Sequence, residues 1–273
     1  MLLVMRFLSF VIIIPPMKIL YISSENVPGD VGGSVRTLEM ARSLSRLGHN
    51  VTIFTNRGKK QKRKEIIDGV RIIRSRMRFV KTFPFLGIKK FDIFKEKFDV
   101  VIERYSIFGG LGTVYSKLRK KPLLLEINAP HLEEAAATKT IRGPAKHIAE
   151  KWGRLQFKVA KVIIAPKKNL AKGYEDKVIE MPLGGVNIRF FNPKIRNSNK
   201  IKLIRNKYGI ENSFTVVFHG AFTRWHGIID LMKAAKILEN RKIKFLFIGS
   251  GELEKKAKYI AGKNCIFVGK KDY

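Results

Sequence analysis

Three short segments combine glycine, basic and acidic residues at spacings that suit binding of a phosphorylated ligand. Gly220-Ala-Phe-Thr-Arg-Trp-His-Gly227 joins an apolar run to an amphipathic one. A glycine turn, a cation and a helix start in that order make a cradle for a diphosphate. Pro28-Gly-Asp-Val-Gly-Gly33 repeats the logic near the amino terminus, where Gly32 and Gly33 would let backbone N–H groups come close to an anion. The third set is polar and lies at the ends of two apolar runs: Val101-Ile-Glu-Arg-Tyr-Ser106 and Glu126-Ile-Asn-Ala-Pro-His131. Parallel sheets place ligands at such strand ends. A dinucleotide site fits poorly, because the Gly-x-Gly-x-x-Gly pattern is missing and Asn56-Arg57 stands where an acid would follow the second strand.

Positioning these residues requires alternating strands and helices. Short apolar runs at Lys18–Ser23, Val51–Thr55, Asp99–Glu103, Leu123–Asn128 and Val162–Pro166 read as strands. Val35, Leu38, Ala41 and Leu44 lie on one face of a helix over Ser34–Leu47, which Gly48 stops. Further helices are expected at Ile107–Leu118 and Ile141–Val159, and Asp68-Gly69 marks a hairpin. After the loop Pro182–Pro193 come strands Thr215–His219, Lys244–Gly249 and Cys265–Gly269, with helices Ile228–Leu238 and Leu253–Ala261 between them. The pattern is α/β, with two doubly wound parallel-sheet domains over residues 17–193 and 199–273. Three strands fall short of the usual five or six, so the second domain is expected to be incomplete. Residues 1–16 form an apolar extension, too short to span a bilayer and closed by Pro15-Pro16, and Met17 suits a true start.

In their order these motifs resemble the GT-B glycosyltransferases of family 4. Gly32-Gly33 followed by Leu44-x-x-Leu-Gly-His-Asn-Val-Thr-Ile-Phe-Thr55 is similar to the family's amino-terminal domain. Met181-Pro-Leu-Gly-Gly-Val-Asn-Ile-Arg-Phe-Phe-Asn-Pro193 is similar to its interdomain signature, with Gly184 and Asn187 as departures. The resemblance implies two Rossmann-like domains and transfer of a sugar, with retention, from a nucleotide-diphosphate-sugar to a glycan or lipid-linked acceptor, with no metal and no other cofactor. It assigns donor contacts to Gly32, Gly33, Gly220, Arg224, His226, Gly227, Gly249 and Gly251. Ala221 and His226 stand where the family's clamp has Arg and Lys, which leaves Arg224 to meet the phosphates from a shifted position. Near the reacting sugar it suggests Asn128, His131 and Glu103 as catalytic candidates, with Arg104 and Glu126 as acceptor contacts. A Glu-x7-Glu donor segment, usual in the family, does not occur in residues 199–273. The alternatives are therefore an active transferase, one completed by a partner chain, and a non-catalytic remnant or basic subunit.

Charge bears on the partners. With 55 Lys and Arg against 22 Asp and Glu, the chain carries a formal charge of +33. Such a field attracts anionic lipid, nucleic acid or phosphorylated small molecules. Basic residues of Arg57–Lys64 and Arg71–Lys97, interleaved with Phe79, Phe83, Phe85, Phe91, Phe94 and Phe98, suit peripheral docking on the inner face of a cell membrane. No RNA-recognition, KH or zinc pattern supports a nucleic-acid partner. Cys265 is the single cysteine, which excludes an internal disulfide and fits a reducing, cytoplasmic setting.

Overall fold

A computed structural model of the chain describes residues 15–29, 31–75, 92–130, 143–182, 185–188, 191–192 and 197–271. The chain divides into two compact units, Met1–Gly185 and Val186–Tyr273. The division falls inside the loop expected to join the domains, ahead of the Pro193 boundary read from the sequence.

The first unit is an eight-stranded sheet. Its strands are β1 (Lys18–Asn26), β2 (Asn50–Asn56), β3 (Lys64–Ile67), β4 (Val70–Ser75), β5 (Val100–Arg104), β6 (Leu123–Glu126), β7 (Val162–Ala165) and β8 (Val178–Glu180). They lie in the order β3-β4-β2-β1-β5-β6-β7-β8, and only the β3–β4 hairpin is antiparallel. Successive β1 residues serve opposite faces: Leu20 and Ile22 join one buried cluster, Ile19 and Tyr21 the other. Burial on both faces explains why these strands read as unbroken apolar runs. Helices α1 (Gly32–Arg46), α2 (Leu111–Arg119) and α3 (Pro144–Val159) make the crossovers. The order reverses between β1 and β5, which makes the carboxyl ends of these two strands the place where a doubly wound sheet opens to a ligand.

The second unit holds α4 (Ser198–Lys207), β9 (Phe214–His219), α5 (Ile228–Ile237), β10 (Ile243–Ile248), α6 (Glu254–Ile260) and β11 (Cys265–Gly269). Its three strands are parallel in the order β11-β10-β9. Phe222, Phe245 and Phe247 are its buried aromatic centre.

Several expectations change. Strand β8 and helix α4 were not read from the sequence. Helix α2 starts at Leu111 rather than Ile107, because residues 107–110 form the turn that delivers its N-terminus to Glu103. Phe94 and Phe98 are not docking aromatics, since both pack against Tyr115, at 5.5 and 5.9 Å between ring centres. Phe79, Phe83, Phe85 and Phe91, like residues 1–14, lie outside the described residues.

Among the described residues the sheet buries a cation, Arg74, which is 1% exposed. Arg74 of β4 donates through Nε and Nη2 to the Val27 carbonyl, at 3.0 and 2.6 Å, and through Nη1 to the Lys62 carbonyl at 2.6 Å. It also pairs with Glu65. The guanidinium thus ties the β3–β4 hairpin to the loop after β1. Arg74→Met strands these acceptors and should lower the stability of the first unit by about 3 kcal/mol or more. Urea unfolding monitored on the two proteins checks this, and a loss under about 1 kcal/mol contradicts it.

Candidate functional site

In the first unit, the carboxyl ends of β1, β5 and β6 carry Glu25, Glu103 with Arg104, and Glu126, and the N-terminus of α1 carries Gly32 and Gly33. The three acids lead very different lives. Glu126 is 2% exposed. The Tyr21 hydroxyl donates to its Oε2 at 2.6 Å, and Arg36 of α1 pairs with its Oε1. Both oxygens are therefore engaged inside the protein. Burial and then the Glu126 charge hold the Tyr21 hydroxyl well above its usual range, so it stays a donor.

Glu103 is also 2% exposed. Its carboxylate accepts the amides of Gly110 at 2.9 Å and Thr113 at 3.2 Å, which caps α2 from the strand below. Burial pushes its pKa up to about 7, against the opposing pull of those amides. Engaged in this way, Glu103 serves the fold rather than a substrate.

Glu25, which the sequence reading passed over, is the accessible acid of the three, with 31% of its side chain exposed. It sits on Gly33: a Cβ there would overlap the carboxylate. Arg104 donates to the Gly33 carbonyl at 2.6 Å and lies 3.8 Å from Glu25. The Glu25 carboxylate thus occupies the space beside Gly33. Gly32, by contrast, has open space where a side chain would stand. Asn128 follows β6 and is half-buried, while His131 lies outside the described residues.

In the second unit the Gly220–Gly227 loop is fixed by hydrogen bonds and packing. Phe222 is 1% exposed, its amide donates to Ser250 at 2.9 Å, and its carbonyl accepts from Leu253 at 3.0 Å. Gly220 donates to Ile248 at 3.0 Å. A Cβ on Gly249 would overlap the Gly220 carbonyl, and one on Gly251 would lie 2.7 Å from Phe222 backbone atoms. Gly249 and Gly251 therefore let two loops close on each other, while Gly251 stays exposed and Gly249 half-buried.

Residues Arg224–His226 form a single 3-10 turn ahead of α5. His226 Nδ1 lies 2.6 Å from the Ala221 carbonyl, a contact that needs the proton on Nδ1. Its ring closes the loop. Arg224 is 82% exposed and 3.8 Å from Glu252, so its guanidinium is presented to solvent on a rigid support. Gly227 has open space beside it.

Residues 31–180, more than half of the 273, match the model of Glycosyltransferase Family 4. No curated protein matches the chain. Solved structures share its fold at low identity. HepE of Anabaena, in complex with UDP-glucose, is 15% identical with a TM-score of 0.66, over 93% of this chain and 69% of that one. WaaG, a glycosyltransferase involved in lipopolysaccharide biosynthesis, is 13% identical with a TM-score of 0.58, over 93% and 70%. The α,α-trehalose 6-phosphate synthase of Burkholderia multivorans is 11% identical with a TM-score of 0.60, over 94% and 73%.

The burial of Glu103 has a measurable signature. The folded carboxyl keeps its proton up to about pH 7, whereas the unfolded one releases it near 4.5. Between those values the folded state holds the extra proton, so stability falls as pH rises. Relative to Glu103→Gln, the wild-type chain should lose up to about 3 kcal/mol across this window and stay level above it. Denaturant melts of both proteins from pH 4.5 to 8 read the difference, and a pH-independent gap rules the assignment out.

Proposed function

The chain belongs to glycosyltransferase family 4, and on that premise we propose that it transfers a sugar from a nucleotide-diphosphate-sugar to a glycan or lipid-linked acceptor, with retention at the anomeric carbon. The observation that carries this reading is the rigid Gly220–Gly227 loop, which presents Arg224 and the open backbone of Gly227 at the start of α5. HepE, which has the same fold, was solved with UDP-glucose, and this supports a nucleotide sugar as the ligand class.

The chemistry follows from charge. When the bond between the anomeric carbon and the phosphate oxygen breaks, its electrons pass to the diphosphate. In the proposed reaction no metal or other cofactor takes part, so fixed cations and helix N-terminal amides meet that charge. Arg224 supplies the cation and α5 the helix start. His226 contributes by holding the loop shut rather than by contacting phosphate. On the acceptor side we place Glu25 and Asn128, and the open backbone of Gly32 stays a donor contact. Glu126 and Arg104 act by holding this edge in shape, and Glu103 by anchoring α2.

Arg224→Ala is expected to weaken UDP-glucose binding about ten- to a hundredfold in calorimetry, the worth of a charge-assisted hydrogen bond. Its melting temperature should not move, because an exposed pair at 3.8 Å stabilises little. Glu25→Gln should leave UDP-glucose affinity unchanged and slow transfer of labelled glucose to acceptor. Equal donor affinity in Arg224→Ala removes the donor assignment, and undiminished transfer in Glu25→Gln removes the acceptor one.

A second reading concerns where the protein works. No helix among the described residues is long and apolar enough to cross a membrane. The charge of +33 favours peripheral attachment to anionic lipid at the cytoplasmic face of a membrane, where a lipid-linked acceptor would be met. The full chain should sediment with phosphatidylglycerol vesicles at low salt and be released at about 0.5 M salt, where charges are screened within a few ångströms. Binding to neutral vesicles alone, or to none, contradicts this.

A further inference from the structure

Trp225 lies between Arg224 and His226 in the 3-10 turn, and its indole is 68% exposed. It does not belong to the second unit's buried cluster, whose aromatic centre is formed by Phe222, Phe245 and Phe247. Its ring meets its neighbour His226 edge-on, at 6.4 Å and 78°. The backbone beneath it is nonetheless fixed. His226 N donates to Thr223 at 3.3 Å, its ring binds the Ala221 carbonyl at 2.6 Å, and Phe222 is pinned between Ser250 and Leu253. A large flat side chain is thus held towards solvent by a turn that has little freedom, next to the exposed guanidinium of Arg224. Leaving so much apolar surface in water without packing benefit is unfavourable by its area. The feature makes sense if a ring of the ligand covers the indole.

We propose that Trp225 is a stacking platform for a ring of the nucleotide sugar whose diphosphate Arg224 holds. This rests on the reading of the Gly220–Gly227 loop given above. The ligand offers a flat base and the C–H face of a sugar ring, and both suit an indole: bases stack on its π-face and sugars lay their C–H groups on it. Trp225 then does what the cation cannot. Arg224 recognises charge common to every nucleoside diphosphate, while the indole adds affinity only for a ligand whose ring reaches it. Specificity would reside in the aromatic and attraction in the cation.

The chain has two tryptophans, and the other, Trp152, is 7% exposed with its Nε1 donating to Gly109 at 2.7 Å. Emission that responds to ligand therefore reports on Trp225. The full chain, Trp225→Phe and Trp225→Ala are titrated with UDP-glucose and with UDP, by fluorescence and by calorimetry. The expected result is quenching of wild-type emission that disappears in Trp225→Phe while binding persists. Trp225→Ala should lose between about five- and a hundredfold in affinity, as for removal of one stacked ring. Quenching by UDP as well as UDP-glucose assigns the base to the indole, and quenching by UDP-glucose alone assigns the sugar. Wild-type binding without quenching, together with undiminished affinity in Trp225→Ala, overturns the proposal but leaves the loop as a diphosphate site. Absence of any wild-type binding in calorimetry overturns the loop reading itself, and the role of Trp225 with it.

Discussion

A carboxylate buried where a strand ends must be paired, and the pairing of Glu126 organises the first unit's candidate ligand edge. Taking a charge out of water is costly unless donors replace the solvent. Glu126 meets this demand with Tyr21 from β1, 105 residues away in sequence, and with Arg36 from α1, 90 residues away. One side chain thereby fixes the spacing of two strands and the rotation of the helix between them. Since α1 begins at Gly32, its rotation sets which backbone atoms of the glycine pair face outward. Arg104 continues the chain of contacts by binding the Gly33 carbonyl and approaching Glu25. What remains accessible after these demands are met includes Glu25, the backbone of Gly32 and half-buried Asn128. The open part of the site is the remainder left by the structural pairings.

The second unit reaches a rigid loop by apolar rather than ionic means. Phe222 is buried against Phe218 and Phe267, with ring centres 5.8 and 6.3 Å apart. Backbone hydrogen bonds on both sides of it join the loop after β9 to the loop after β10. Only glycines allow those two loops to touch, so Gly249 and Gly251 serve the approach of one loop to another. The polar residues that follow Phe222 are then carried outward on a fixed base. The backbone that carries Arg224 is thus fixed, while its long side chain stays in solvent.

How much of this was legible in the sequence depends on the range of the interaction that decides each feature. Strands such as Val51–Thr55 and Lys244–Gly249 were readable because burial on both sheet faces demands a continuous apolar run, a local signal. Strand β8 has only three residues, with Ile179 and Glu180 exposed, so no such run announces it. Helix α4 was missed because Ile201, Leu203 and Ile204 are exposed and present no buried stripe to mark a period. The edge residues were visible as types and positions, for Glu103, Arg104 and Glu126 do end their strands. Their duties were not visible. Whether an acid is spent on a helix start, as Glu103 is, or left to solvent, as Glu25 is, depends on partners that folding brings from elsewhere in the chain. The same holds for Gly33, where a packing requirement and a ligand requirement select the same residue.

The charge of the chain and the charge of the candidate site are separate matters. A surplus of 33 positive charges suggests a strongly cationic site, yet the first unit's ligand edge is locally balanced. Arg36 faces Glu126, and Arg104 faces Glu25. In the second unit Arg224 stands opposite Glu252. Each guanidinium near a candidate ligand position thus has an acid within 4 Å, which tempers its field at long range while leaving its hydrogen-bond donors directional. The surplus therefore resides on the other lysines and arginines, most of which are exposed or half-buried among the described residues. Screening confines such a field to about 8 Å in physiological salt, which is too short to select a small ligand from afar but long enough to hold a protein against an anionic surface. Balanced arginines recognise by geometry, and unbalanced lysines attract by sign. On the proposed reading the two tasks fall to different residues.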